Sequence, residues 1–133
     1  MAVRYLLDTN TASSVIKGKN PSVRDRLSRV PIDEVGVSAV TEAELHFGAE
    51  RLPKTARIRF AVDEFLERIE VLAWNSAAAK SYGLMRAYLE RSGTPMGSLD
   101  MLIAAHALAA EIILVTHDRV FRRVKGLQTE DWT

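Results

Sequence analysis

The sequence predicts a three-layer α/β domain built on a central parallel sheet of four to five strands. Three observations predict it. Short apolar runs alternate with helical patterns along the whole of the 133 residues, the arrangement of successive βαβ units. Ile112-Ile113-Leu114-Val115 is continuously apolar and rich in β-branched residues, as a strand buried on both faces of a parallel sheet must be. Two of the runs stop on acids, Leu7 at Asp8 and Val115 at Thr116-His117-Asp118, where open α/β sheets gather their ligands.

The first strand is expected over Val3 to Leu7, ending at the turn and cap residues Asp8-Thr9-Asn10. A short helix carrying Ala12, Val15 and Ile16 follows and stops at Gly18-Lys19-Asn20-Pro21. Pro21 opens a second helix, with Val23, Leu27 and Val30 at i, i+4 and i+7 before Pro31. Together the two helices make a hairpin. Val35-Gly36-Val37-Ser38 reads as the second strand, and the next helix starts near Ser38 or Thr41. Thr41-Glu42-Ala43-Glu44 has the spacing of a capping box. In that helix Leu45, Ala49 and Leu52 form a stripe that Glu42 borders, while Glu44 points roughly 110° away at about 100° per residue. The expectation is therefore that Glu44 serves as the cap and Glu42 is drawn inward.

Pro53 is expected to start a longer helix with Ile58, Val62, Phe65 and Ile69 on one face. Glu70 to Trp74 reads as a third strand, and Asn75 or Ser76 caps a helix with the stripe Ala78, Tyr82, Met85 and Leu89. After Ser92-Gly93 and the loop Thr94-Pro95-Met96-Gly97 comes the stretch from Gly97 to Ala109, small and apolar on nearly every face, which points to a buried helix. Its one carboxylate, Asp100, falls in the first turn. The buried strand Ile112–Val115 follows, then a basic turn with Arg119, Arg122, Arg123 and Lys125, and a last short strand near Leu127 to Thr129. No repeat, low-complexity tract or linker interrupts the chain, so residues 1–133 form a single domain.

Composition narrows the chemistry. There is no cysteine, which excludes disulfides, zinc–thiolate sites and cysteine nucleophiles. No apolar run has membrane-spanning length, and the first eight residues are too short and too soon acidic for a signal peptide, so the expectation is a cytoplasmic protein with no membrane partner. The net charge of +1 conceals a division. With four of the 17 acids gathered at one site, 18 basic residues face 13 acidic ones elsewhere, a balance able to guide a polyanion toward an acidic pocket.

Those four acids are the centre of the functional reading. Asp8 and Asp118 end strands, and Glu42 and Asp100 open or nearly open helices that follow others, so right-handed crossovers bring all four to one edge of the sheet. Carboxylates at close range repel and take up protons unless cations neutralise them. Hard oxygen donors without a histidine or cysteine cluster select Mg²⁺ or Mn²⁺ over zinc. Such a site suits phosphodiester hydrolysis, and Thr9, Asn10 and Thr116 are placed to orient the donors or a water.

The same residues carry a family resemblance. Leu7-Asp8-Thr9-Asn10, Ser38 to Leu45 with Phe47-Gly48-Ala49, Gly97 to Ala107, Leu114 to Asp118 and the terminal Glu130-Asp131-Trp132 together resemble a PIN-domain ribonuclease of the VapC toxin type. The resemblance covers essentially the whole chain, and it places the family's acidic quartet on Asp8, Glu42, Asp100 and Asp118. It implies a PIN-like fold and a Mg²⁺-dependent endoribonuclease in which Mn²⁺ substitutes, the toxin of a toxin–antitoxin pair that inhibits translation. It further implies an RNA substrate, transfer RNA and in some relatives the initiator in its anticodon region, a homodimer, and a VapB-like antitoxin whose chain reaches over the site.

Each residue also has a plainer reading. Asp8 suits a turn, Asp100 a helix N-terminus, Glu42 an exposed helix face and Asp118 a loop. His106 reads as a hydrogen-bonded core residue, His46 as a surface residue within reach of RNA, and His117 as a neutral-pH titrating neighbour of Asp118. Arg119, Arg122 and Arg123 either hold an RNA backbone or form a solvated turn. A phosphatase of the haloacid-dehalogenase type also places an Asp after its first strand, but it requires a second Asp two residues on, and position 10 is Asn. A catalytically silent RNA- or partner-binding module of the same fold is the remaining alternative.

Overall fold

A computed structural model describes residues 2–133. Five parallel strands stand in the order β3-β2-β1-β4-β5. β1 is Tyr5–Leu7, β2 Val35–Ser38, β3 Glu70–Leu72, β4 Ile113–Val115 and β5 Thr129–Glu130. The central β1 pairs Leu7 with Val37 on one side and with Val115 on the other. From β1 the chain first moves outward through β2 to β3, then crosses back to β4 and β5. The reversal at β1 opens a crevice beyond its carboxyl end, the usual ligand position of an open α/β sheet.

Six helices cover the sheet: α1 Thr9–Lys17, α2 Pro21–Arg29, α3 Ala39–Glu50, α4 Arg57–Arg68, α5 Ser76–Arg91 and α6 Ser98–Ala110. Alternation along β1 builds one core on each face. Tyr5 and Leu7 pack with Ala12, Val23, Leu45 and Val62 of the first four helices. Leu6 packs with Met85, Leu89, Ile103 and Ala104 of the last two. Right-handed crossovers running in opposite directions from β1 put the two sets of helices on opposite faces. This is the expected three-layer α/β arrangement, with the sheet at the upper limit of the expected strand number.

Local chemistry sets most boundaries. Asp8 caps α1, and Gly18 ends it in the left-handed region at φ 64°, returning its N–H to Ser14 and Val15. Asn20 and Asn75 cap α2 and α5 through their side chains. Trp132, 4% exposed, packs edge-on against Tyr5, and its carbonyl accepts from the Ser22 hydroxyl at 2.8 Å. The terminal Glu130-Asp131-Trp132 segment thereby pins the C-terminus beneath α2.

Three boundaries differ from expectation. α4 begins at Arg57 and not at Pro53, because residues 53–56 form a turn closed by the Ala56 N–H on the Pro53 carbonyl. The last strand sits at Thr129–Glu130, beyond Leu127, where it continues the ladder on Leu114 and Val115. α3 begins at Ala39 with Ser38 as its cap, so Thr41 is not a capping residue but sits inside the first turn and is fully buried. Among the described residues no helix is long and apolar enough to cross a membrane.

Candidate active site

Asp8 stands where β1 becomes α1, almost fully buried at 4% exposure. A buried carboxylate must be compensated, and both of its oxygens are. Oδ1 accepts from the Thr11 backbone N–H at 2.8 Å, and Oδ2 accepts from the Thr116 hydroxyl at 2.6 Å. Thr116, just past β4, in turn accepts the Asp118 backbone N–H at 3.0 Å. One threonine hydroxyl therefore ties together the ends of two neighbouring strands. Asp118 opens the 3-10 turn Arg119–Arg123, and its Oδ1 accepts from the Val120 N–H at 2.9 Å.

Asp100 lies in the first turn of α6, whose cap, Gly97, offers no side-chain hydrogen bond. Its carboxyl is held above the usual carboxylate range, first by burial and then by the charges of Asp118, Asp8 and Glu44. Four acids from four separate segments thus act on one another at the carboxyl rim of the sheet. Glu44 is fixed there by the Thr9 hydroxyl, which donates to its Oε1 at 2.6 Å.

Glu44, not Glu42, is the glutamate at this rim. The stripe Leu45, Ala49 and Leu52 marks where α3 meets apolar neighbours, and each glutamate lies beside that stripe on a different flank. Glu44 is on the flank that faces the N-terminus of α1, where Thr9 meets it. Glu42 is half-buried in the first turn and is not among the carboxylates that act on Asp100. Periodicity measures angular distance from the core but does not say which side of the core holds the site. The overlooked signal was Thr41-x-x-Glu44, a spacing that puts both side chains on one face of the helix.

The other sequence candidates divide. Thr9 and Thr116 hold carboxylates, as above. Asn10 is exposed and lines the mouth of a groove of about 400 Å³ between α1, α3 and α4, with Thr9 and Glu44 at the same mouth. Arg119 and Arg122 are exposed beside Asp118. Arg123 is committed elsewhere, since its guanidinium donates to the Pro95 carbonyl and holds the loop before α6. His46 and His117 are exposed. His106 is buried, with Nδ1 2.7 Å from the Ser38 hydroxyl, and burial lowers its pKa.

The donors available to an ion are therefore carboxylate oxygens without imidazole, which fits a hard divalent cation. Among the described residues no three acids or histidines stand close enough to cage an ion without side-chain movement. The mutual repulsion at Asp100 is what a bound cation would relieve.

Comparison with known proteins agrees with this architecture. The PIN domain profile matches residues 5–127. The chain is 41% identical over 132 residues to the tRNA(fMet)-specific endonuclease VapC of Shigella flexneri, covering 98% of this chain and 99% of that protein. It superposes on the crystal structure of DNA-bound VapBC from Salmonella typhimurium with a TM-score of 0.92 at 37% identity, covering 98% and 99% of the two chains. On VapBC2 from Rickettsia felis, solved bound to a DNA fragment from its promoter, the TM-score is 0.88 at 30% identity with complete coverage of both chains. The chain belongs to the PIN-domain family and, within it, to the VapC ribonucleases.

Proposed function

We propose that this chain is the toxin of a VapBC-type pair, a divalent-cation-dependent endoribonuclease that hydrolyses phosphodiester bonds of transfer RNA and so inhibits translation. The observation that carries the reading is the convergence of Asp8, Glu44, Asp118 and Asp100, seen in the raised proton affinity of Asp100. Evolving four acids into mutual repulsion at a sheet edge is costly unless a cation completes the site.

Asp8, Glu44, Asp100 and Asp118 would hold the ion, Mg²⁺ or its Mn²⁺ substitute. Bound there, the cation supplies the charge that polarises the scissile phosphate and lowers the cost of forming the attacking hydroxide. The chain's own residues set the geometry. Thr116 and the Thr11 N–H lock the Asp8 carboxylate, Thr9 directs Glu44, and the Val120 N–H fixes one oxygen of Asp118. Arg119 and Arg122, exposed at the same rim, would receive the RNA backbone and offset the repulsion between phosphate and acids.

The substrate follows from the Shigella relative, named for the initiator transfer RNA. A VapB-like antitoxin follows from the VapBC structural neighbours, and the groove beside Glu44 gives it an apolar seat leading to the site. A homodimer is part of the same proposal, on family grounds.

The test is cleavage of transfer RNA by purified protein with Mg²⁺, with Mn²⁺ and with chelator, alongside Asp8→Asn and Asp100→Asn. Wild type should cut only with a cation, and each variant should lose at least about 100-fold with its circular dichroism unchanged. Undiminished cleavage by Asp100→Asn would defeat the proposal.

A further inference from the structure

Thr41 is fully buried in α3, one turn before Glu44 on the same face. Its hydroxyl is 3.1 Å from the Thr9 hydroxyl, and the Thr9 hydroxyl is 2.6 Å from Glu44 Oε1. The direction of these bonds follows from the chemistry of the groups. An ionised carboxylate only accepts, so the single Thr9 proton goes to Glu44. Thr9 can then only accept in its contact with Thr41, and Thr41 must donate. The three groups form a one-way chain from the Thr41 O–H to the Thr9 O–H to the Glu44 carboxylate.

We infer that Thr41 is a positioning residue for the nuclease site, acting through Thr9 to aim Glu44. The inference rests on the proposed reading of the four acids as the active centre. Thr9 is the residue directly after Asp8, and it opens α1. Holding its hydroxyl from Thr41 therefore fixes Glu44 relative to Asp8, two acids that come from different layers of sequence and share no direct bond. Without the Thr41 proton, the Thr9 hydroxyl keeps its bond to Glu44 but rotates with one constraint fewer. Donating to Thr9 also polarises the Thr9 O–H and strengthens its bond to the carboxylate. Full burial matters here, because no bulk water competes for the Thr41 hydroxyl.

A hydroxyl that merely satisfied the core would matter to stability and not to turnover. A positioning hydroxyl should show in kcat and in cation affinity, because removing a group that orients a ligand typically costs about 10- to 100-fold in either. Thr41→Val keeps shape and removes the donor. We expect its kcat on transfer RNA to fall about ten-fold with KM changed less than about two-fold, and Mn²⁺ affinity of the RNA-free protein, read by calorimetry, to fall by a similar factor. Thr41→Ser should restore both to within about two-fold. If Thr41→Val does not fold, the pair Thr41→Ser and Thr41→Ala isolates the hydroxyl in the same way. Wild-type kcat and Mn²⁺ affinity in Thr41→Val, or equal losses in Thr41→Ser and Thr41→Ala, would overturn the inference. Asp100→Asn measured beside them separates the two claims. If it is inactive while Thr41→Val is normal, only the relay is wrong; if it cuts like wild type, the reading of the site is wrong as well.

Discussion

Replacing Thr116 with valine removes the hydroxyl that joins β1 to β4 while leaving almost the same volume in a site 5% exposed. Packing is therefore nearly conserved, and the loss is polar. The hydroxyl donates to the ionised, buried Asp8 at 2.6 Å, a charge-assisted bond worth about 1.5–3 kcal/mol. It also accepts the Asp118 backbone N–H at 3.0 Å, a neutral bond worth about 1 kcal/mol. The two together place the cost of Thr116→Val at about 2–4 kcal/mol. For a chain of 133 residues a loss of about 3 kcal/mol lowers the melting temperature by roughly 10 °C. Urea unfolding at neutral pH in chelator measures it directly: the midpoint should fall by on the order of 1–2 M with the slope unchanged. Thr116→Ser should lose far less, because it keeps the hydroxyl. A loss below about 0.5 kcal/mol in Thr116→Val would show that Asp8 does not depend on Thr116, and the account of how β1 and β4 present their acids would fail.

Burial and the charges of Asp118, Asp8 and Glu44 hold the Asp100 proton to higher pH in the folded protein than in the unfolded chain. The stability that goes with protonated Asp100 is thus full below the unfolded pKa and is lost as pH rises through the folded one. Asp100→Asn, which cannot ionise, should melt above wild type at neutral pH in chelator and with a flatter pH profile across that window; a lower melting temperature at neutral pH would contradict this. Millimolar Mg²⁺ should raise the melting temperature of wild type by binding the native state alone, and should leave Asp100→Asn nearly unmoved. Equal shifts in the two proteins would place the cation elsewhere.

Much of this architecture was legible in the residues, because strong local signals agreed with the global pattern. Ile112–Val115 could only be a buried strand, Gly18 could end α1 at positive φ, and Asn20 and Asn75 could cap what followed. Asp8, Asp100 and Asp118 were legible for a related reason: each sits where an element begins or ends, and the parallel sheet sends those ends to one rim. Glu44 sits in the interior of α3, so no boundary announces it. Its face is set by α1 packing across from it, a tertiary fact that the stripe of α3 does not encode. The start of α4 was misplaced for a similar reason, because Pro53 suits a turn as well as a first helical residue, and Ala56 leaves the real start without a side-chain cap. The end of α6 carried no glycine at all. Glu111 adopts the left-handed conformation there, at φ 56°.

The central claim is that Asp8, Glu44, Asp100 and Asp118 act as one cation-dependent centre, with Glu42 outside it. Calorimetric titration of Mn²⁺ into Glu44→Gln and Glu42→Gln tests that most directly, since the two side chains share a helix turn and differ in the flank they occupy. The account predicts that Glu44→Gln loses at least about ten-fold in affinity while Glu42→Gln binds within about two-fold of wild type. Weakened binding in Glu42→Gln with wild-type binding in Glu44→Gln would contradict it.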